Sequence, residues 1–330
     1  MACEHSFARY IRKLGSDRKL SCSLTQEEAR AAMADIACYE VEPHQVGAFL
    51  MLLRLKRVTS EEIAGFAQAL QENLPRPPDQ PAVAIDWPAY AGKRKQPPWF
   101  LLAALLLSRN GYPVFMHGLS RRDERVYVPQ ALRALGMEPC GLLSQAAAKI
   151  RKEGFAYLPI ENLSGIVQEL IGYRKQLGVR TPMQTIARML NPLSASLMLQ
   201  GVYHAQYASM HQGAARLMKQ EKNLSIQGDS GEFERALGRP CKLYGMSDGI
   251  CWEEEWPAEE AFEEQDVPKN LDLGHFNAVW EGREEDEYGR AAVIGTLALV
   301  LRALGRATER DEAYQLADQW WLTRNVEVAA

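Results

Sequence analysis

Residues 81–118 read PAVAIDWPAYAGKRKQPPWFLLAALLLSRNGYPVFMHG. The pattern predicts a strand at Ala82–Ile85, a tight loop, an apolar helix at Trp99–Asn110 closed by Gly111, and a second strand at Val114–His117. The first strand-to-helix turn of an α/β unit is a usual ligand position, because the helix N-terminus presents free N–H groups. Loops that handle phosphate there use small residues to wrap it and an acidic residue to recruit a metal. This loop instead runs Tyr90-Ala-Gly92-Lys93-Arg94-Lys95-Gln96, with three consecutive cations and no carboxylate. Attraction for phosphate is kept while the metal ligand is lost, which points to a binder of phosphate backbones over a catalyst. The plainer alternative is a solvated basic turn.

Outward from this stretch, Ala156–Ile160, Leu224–Ile226 and Cys241–Tyr244 are further strand candidates. Strands alternating with helices predict an α/β fold with a mainly parallel sheet. Residues before 75 read as helices only. Thr25 is the expected N-cap of one, with Glu28 completing a capping box. A second spans about Glu42 to Arg57 with Val46, Phe49, Leu50 and Leu53 on one stripe, and a third starts at Thr59. Arg76-Pro-Pro78 reads as a linker. The expected division is a small all-helical domain at 1–75, joined by helices of about 165–195, packed on an α/β domain at 76–330. Helices are expected at Ala291–Leu304 and Asp311–Trp321. Residues 253–266 form an acidic segment anchored by Trp252 and Trp256.

The 330 residues carry 47% hydrophobic and 24% charged residues, ordinary for a globular protein, with a net charge of −4. The charge is segregated. Residues 76–190 hold 16 Lys and Arg against 8 Asp and Glu, an excess of +8, and the remainder is at −12. A basic central region can hold a polyanion despite the negative total. The six cysteines form no C-x-x-C pair, so zinc is not expected, and a reduced cytoplasmic setting is. The longest apolar run, Trp99–Leu107, is far short of the ~20 residues of a membrane helix.

Several segments together resemble the anthranilate phosphoribosyltransferase family. They are Gly47–Lys56 with Glu62–Phe66, His117-Gly118, Tyr173–Thr181, Leu190–Leu193 and Gln200–Tyr203. The resemblance implies a glycosyltransferase family 3 fold of the nucleoside phosphorylase/phosphoribosyltransferase type. It also implies homodimers that bind phosphoribosyl pyrophosphate, magnesium and anthranilate in the interdomain cleft. The working residues depart from the pattern. The family's glycine-rich loop corresponds to Ala89–Arg94, where only Gly92 survives and Lys93 stands at the aspartate position. Its basic motif after the second strand corresponds to Met116–Ser120, and its acidic magnesium pair to Phe233-Glu234. Arg174 matches the arginine that contacts anthranilate. This combination is similar to a non-enzymatic, nucleic-acid-binding branch of the family, the YbiB type.

The expected function is therefore nucleic-acid binding of low sequence specificity, to single or double strands. The alternative is an active glycosyl- or phosphoribosyl-transferase with an altered substrate, and only under it are magnesium and phosphoribosyl pyrophosphate expected. No catalytic residue and no metal site is assigned. The candidate contacts are Lys93, Arg94 and Lys95 from the loop, Arg121, Arg122 and Arg125 after the second strand, and Arg174, Lys175, Arg180 and Arg188 from the returning helices. Tyr90 is the candidate for base stacking. Phe49, Met51, Leu52 and Leu55 spread apolar surface around one helix, from which a symmetric homodimer contact is expected.

Overall fold

A computed structural model describes residues 4–16, 22–121, 123–263 and 269–324. The chain opens with α1 (Ala8–Leu14), α2 (Gln26–Ala37), α3 (Pro43–Lys56) and α4 (Ser60–Glu72). The expected caps form: Thr25 with Glu28 and Thr59 with Glu62 each close a reciprocal capping box. Glu62 does more than cap. Fully buried, it accepts from Leu24 N–H, Thr59 N–H and the Lys56 ammonium, tying three segments together. The α3 stripe buries Val46, Phe49, Leu50 and Leu53, as its spacing predicts. Gly65 lets α4 lie against α2, because a Cβ there would stand 2.2 Å from the Gln26 carbonyl oxygen.

The α/β part continues with β1 (Ile85–Ala89), α5 (Phe100–Arg109), β2 (Val114–Gly118), α6 (Val128–Ala134), α7 (Leu143–Glu153) and β3 (Phe155–Pro159). Then follow α8 (Ile160–Leu163), α9 (Gly165–Leu177), α10 (Met183–Ala187), β4 (Leu197–Val202), α11 (Gln206–Leu217) and β5 (Lys222–Gln227). The chain closes with β6 (Cys241–Ser247), β7 (Ile250–Trp256), α12 (Leu273–Trp280), α13 (Glu287–Leu304) and α14 (Arg310–Leu322). The sheet order is β3-β2-β1-β4-β5-β6-β7, with parallel pairs from β3 to β5 and antiparallel pairs from β5 to β7. Helix α5 is buried around its whole circumference from Phe100 to Leu107 and packs between the sheet and α13.

Two differences from the sequence expectation have physical causes. Strand β1 lies later than Ala82–Ile85 and includes Pro88. This is tolerated because the β4 ladder extends only along Ile85 and Asp86. Glu253–Trp256 belongs to an edge strand, where Glu253 pairs with Lys242 and Glu254 with Arg302. Asp248-Gly249, both at positive φ, make the two-residue hairpin turn before it. Helices α9 and α10 do return to the N-terminal helices. Gln71 donates to the Leu190 carbonyl at 2.8 Å, and Arg54 to that of Arg180.

The apolar circumference expected on α3 is mostly consumed within the chain: Phe49 is buried and Leu52 packs on the core, leaving Leu55 exposed. No helix among the described residues is long and apolar enough to cross a membrane.

One clamp holds the C-terminal helices. His275 of α12 pairs with Glu284 through Nδ1 at 2.5 Å and with Asp286, the N-cap of α13, through Nε2 at 2.9 Å. These two bonds raise its pKa above the ordinary 6.5. A raised folded value means the clamp stabilises fully below pH 6.5 and weakens as pH climbs through that value. The expected outcome is a melting-temperature gap between wild type and His275→Gln that is largest near pH 6 and shrinks toward pH 9. Thermal melts across that range check it.

Candidate functional site

The carboxyl ends of β1, β2, β4 and β5 lie side by side, so the loops that follow them meet above the sheet. The β1 loop is pinned twice. Lys93 exchanges backbone hydrogen bonds with Val126 at 2.8 and 3.0 Å. Gly92 holds φ +69° with Tyr127 against it; a Cβ there would stand 2.8 Å from that ring.

The polar groups of this loop are already used inside the chain. Glu232, 2% exposed, accepts from the backbone N–H groups of Ala91 at 2.7 Å and Gly92 at 2.6 Å through one oxygen. A carboxylate of the protein thus occupies the free amides of this loop. Burial raises the Glu232 carboxyl, opposed by Arg188 and those amides.

Beside it, the Lys93 ammonium is fully buried between Asp229 and Glu234. Burial alone would lower Lys93; Glu234 and Asp229 reverse that and hold it protonated, above the ordinary lysine value. Burial likewise opposes the Asp229 charge, and Lys93 overcomes it, so Asp229 lies below its ordinary value. Glu234 is raised by burial to about 7 despite Lys93. It functions as an ion-pair partner, because its two oxygens accept from Lys93 and from Phe100 N–H at 2.8 Å. These residues, as placed, do not fit a divalent cation on this acidic pair: an ammonium stands on both carboxylates.

Several expectations are corrected here. Lys93 is a buried internal cation and not a surface phosphate contact. Phe233, at the expected carboxylate position, is core, with its ring 5.5 Å from Trp87; the second carboxylate comes from Asp229 instead. Tyr90 is 1% exposed and bonded to His117 Nδ1 at 2.8 Å, with the Arg188 guanidinium 5.8 Å from its ring, so no face is free for a base. Burial pushes its phenol well above 10. His117 lies on β2, with Asp86 3.4 Å from its Nε2.

Outside this plugged loop opens a cleft of about 750 Å³. Arg94 enters from the β1 loop, Arg121 and Arg125 from the β2 loop, and Arg174, Arg180 and Arg188 from α9 and the α10 region. Arg54 and Arg57 join from the end of α3. Among the described residues, eight arginines face a single lining carboxylate, Asp123, an excess of seven positive charges. Asp123 is itself engaged by Tyr127 at 3.0 Å. Burial and then the neighbouring Arg174, Arg125 and Arg94 depress the Arg180 guanidinium, the sign of cations crowded without enough counter-charge.

Of the expected contacts, five and the buried Arg188 converge on this cleft. Lys95 and Lys175 are exposed but do not line it, and Arg122 lies outside the described residues. Arg54 and Arg57 were missed because they end an amphipathic helix and carry no motif. Asp229 and Glu232 were missed because their partners are some 140 positions away in the chain. The only sequence signal for them is a glycine-flanked acidic turn after β5.

Fold and cleft define a two-part scaffold of the glycosyltransferase type. Residues 8–74 match the helical bundle domain of the glycosyl transferase family. Anthranilate phosphoribosyltransferase of Desulforudis audaxviator is 30% identical over 303 residues, covering 89% of this chain and 87% of that protein. The chain belongs to the anthranilate phosphoribosyltransferase family. An uncharacterized protein of Escherichia coli, YbiB, is 28% identical over 61% of this chain and 64% of its own length. Among solved structures, the anthranilate phosphoribosyltransferase of Thermus thermophilus superposes with a TM-score of 0.79 at 20% identity, covering 96% and 94% of the two chains. That of Saccharomyces cerevisiae, in complex with PRPP and Mg, gives 0.76 at 17% identity, covering 97% and 94%. At these identities the superpositions establish the fold alone.

Removing Lys93 tests the plug. Lys93→Met leaves the buried Glu234 and the partly exposed Asp229 without their cation, and the expected loss is at most about 3–5 kcal/mol of folding stability. The double variant Lys93→Met/Glu234→Gln should recover part of that loss. Urea denaturation of the wild type and the variants measures both.

Proposed function

We propose that this chain binds nucleic acid through the phosphate backbone, with little sequence specificity, and does not transfer a phosphoribosyl group. The observation that carries the reading is the arginine cleft: eight guanidinium groups and one engaged carboxylate, on loops from both parts of the fold. Clustered cations that displace condensed counterions are the main source of sequence-independent nucleic-acid affinity. Arginine adds a planar fork that matches phosphate oxygens. The ammonium on Asp229 and Glu234, and the carboxylate on the loop amides, argue against magnesium or pyrophosphate at that place. A homodimer in a reduced cytoplasmic setting belongs to the same proposal, and sedimentation at micromolar concentration tests the dimer.

A second reading, an active glycosyl- or phosphoribosyl-transferase with an altered substrate, is backed better by the relatives. Those compared are mostly anthranilate phosphoribosyltransferases, and the similarity to one of them runs nearly the full length of this chain. Under it, magnesium and phosphoribosyl pyrophosphate are the required ligands, and Lys93 must yield its place.

The two readings separate in paired assays. A labelled oligonucleotide is titrated at two salt concentrations, and phosphoribosyl pyrophosphate consumption is followed with magnesium. The expected outcome is salt-dependent binding without consumption; consumption by the wild-type chain that requires magnesium would instead establish the transferase. Replacing Arg94, Arg174 and Arg180 together by Gln should weaken binding of all sequences alike and flatten the log–log salt slope by ~0.7 per lost phosphate contact on single strands. The same change at Arg30, Arg133 and Arg283, which are exposed and paired elsewhere, should alter affinity much less. Equal losses in both triple variants would reject the cleft as the binding surface.

A further inference from the structure

Arginines alone do not distinguish a duplex from a single strand, since both present phosphates. The cleft wall carries a second chemistry. Directly after the last residue of β4, Tyr203 and His204 emerge at the mouth, followed by Tyr207 in the first turn of α11, and all three line the same cleft as the arginines. Tyr203 is 57% exposed, one of the few large hydrophobic side chains left to solvent. Its ring centroid is 4.9 Å from His204, and His204 is 6.4 Å from Tyr207.

The backbone beneath this wall is held. Gln227 at the end of β5 donates to the Tyr203 carbonyl at 3.1 Å, and Gly231 packs so closely that a Cβ there would lie 3.3 Å from the Tyr203 Cβ. Tyr203 therefore presents its ring from a fixed platform, and the aromatic ring costs little entropy to order.

We infer that Tyr203, with His204 and Tyr207, is a stacking wall for unpaired bases, so that the preferred ligand is a single strand. The inference rests on the nucleic-acid reading above and narrows it. Exposed aromatic faces beside a cationic groove are the device that holds single strands without reading sequence, because every base has a π-face. A duplex keeps its bases stacked inside and gives such a wall nothing to grip. The rings meet at 86° between Tyr203 and His204 and at 43° between His204 and Tyr207, so they offer separate faces to unpaired bases and not one parallel ladder.

The test uses the full chain and three probes of equal length: a single-stranded DNA oligonucleotide, its duplex, and an abasic strand that has the phosphates without the bases. Wild type is expected to bind the single strand most tightly. Tyr203→Ala/His204→Ala should lose roughly 5- to 100-fold on the single strand, bring it to the level of the abasic probe, and leave the salt slope unchanged. Tyr203→Phe should keep wild-type affinity, because the face and not the hydroxyl does the stacking. Arg180→Gln should show the complementary result, a flatter salt slope on all three probes. Equal wild-type affinity for the single strand and the abasic strand would overturn the stacking wall while leaving the nucleic-acid reading intact. Absence of binding to all three probes at low salt would overturn both.

Discussion

The placement of one ammonium, that of Lys93, governs the chemistry of this fold. Two charged side chains without access to water, Lys93 and Glu234, beside the partly exposed Asp229 are costly unless each charge is answered. Lys93 answers Asp229 and Glu234 at once, and Glu234 in turn holds the first N–H of α5. The β1 loop, the β5 loop and the start of the most buried helix are thereby locked to each other. A scaffold whose relatives transfer phosphoribosyl groups has here filled its own interior with an internal cation. Glu232 completes the exchange by placing an internal anion on the loop amides.

With Lys93, Asp229 and Glu234 paired, the largest excess of like charge lies further out. The eight cleft arginines come from elements far apart in sequence, and their mutual repulsion is a cost the fold carries in the absence of a ligand. The chain as a whole is negative, so the cleft is a local field and not a reflection of bulk charge. A polyanion relieves the repulsion, and the fixed loops at the sheet's carboxyl edge hold the cations where such a ligand can meet several together. The buried Asp86, His117 and Tyr90 stand beneath this floor and set the face on which Arg188 lies.

Helices were the most legible elements. Capping residues and their partners are three positions apart, and the apolar stripe of α3 follows from a period of 3.6, so local physics suffices. Strands were less so. Ile85–Ala89 contains Asp86 and Pro88, which look unlike a buried strand until the neighbouring ladder is known to stop short. Ile250–Trp256 alternates poorly because Glu254 shares the less exposed face with Trp252 and Trp256, where Arg302 and the Trp256 indole N–H engage it. Its turn, Asp248-Gly249, was the available signal.

The sequence by itself determined the helical start, the alternation that makes a mainly parallel sheet, the family resemblance and the concentration of positive charge in residues 76–190. Each of these depends on composition or on neighbours within a few positions. Tertiary structure decided which cations are available. Lys93 and Arg94 are adjacent in the chain, yet one is sealed between two carboxylates and the other lines the cleft, because successive residues of a tight loop face opposite directions. Tyr90 and Tyr203 divide in the same way, the first buried and the second 57% exposed. Burial and long-range pairing depend on partners brought together by folding, and no local pattern encodes the distance between positions 93 and 229.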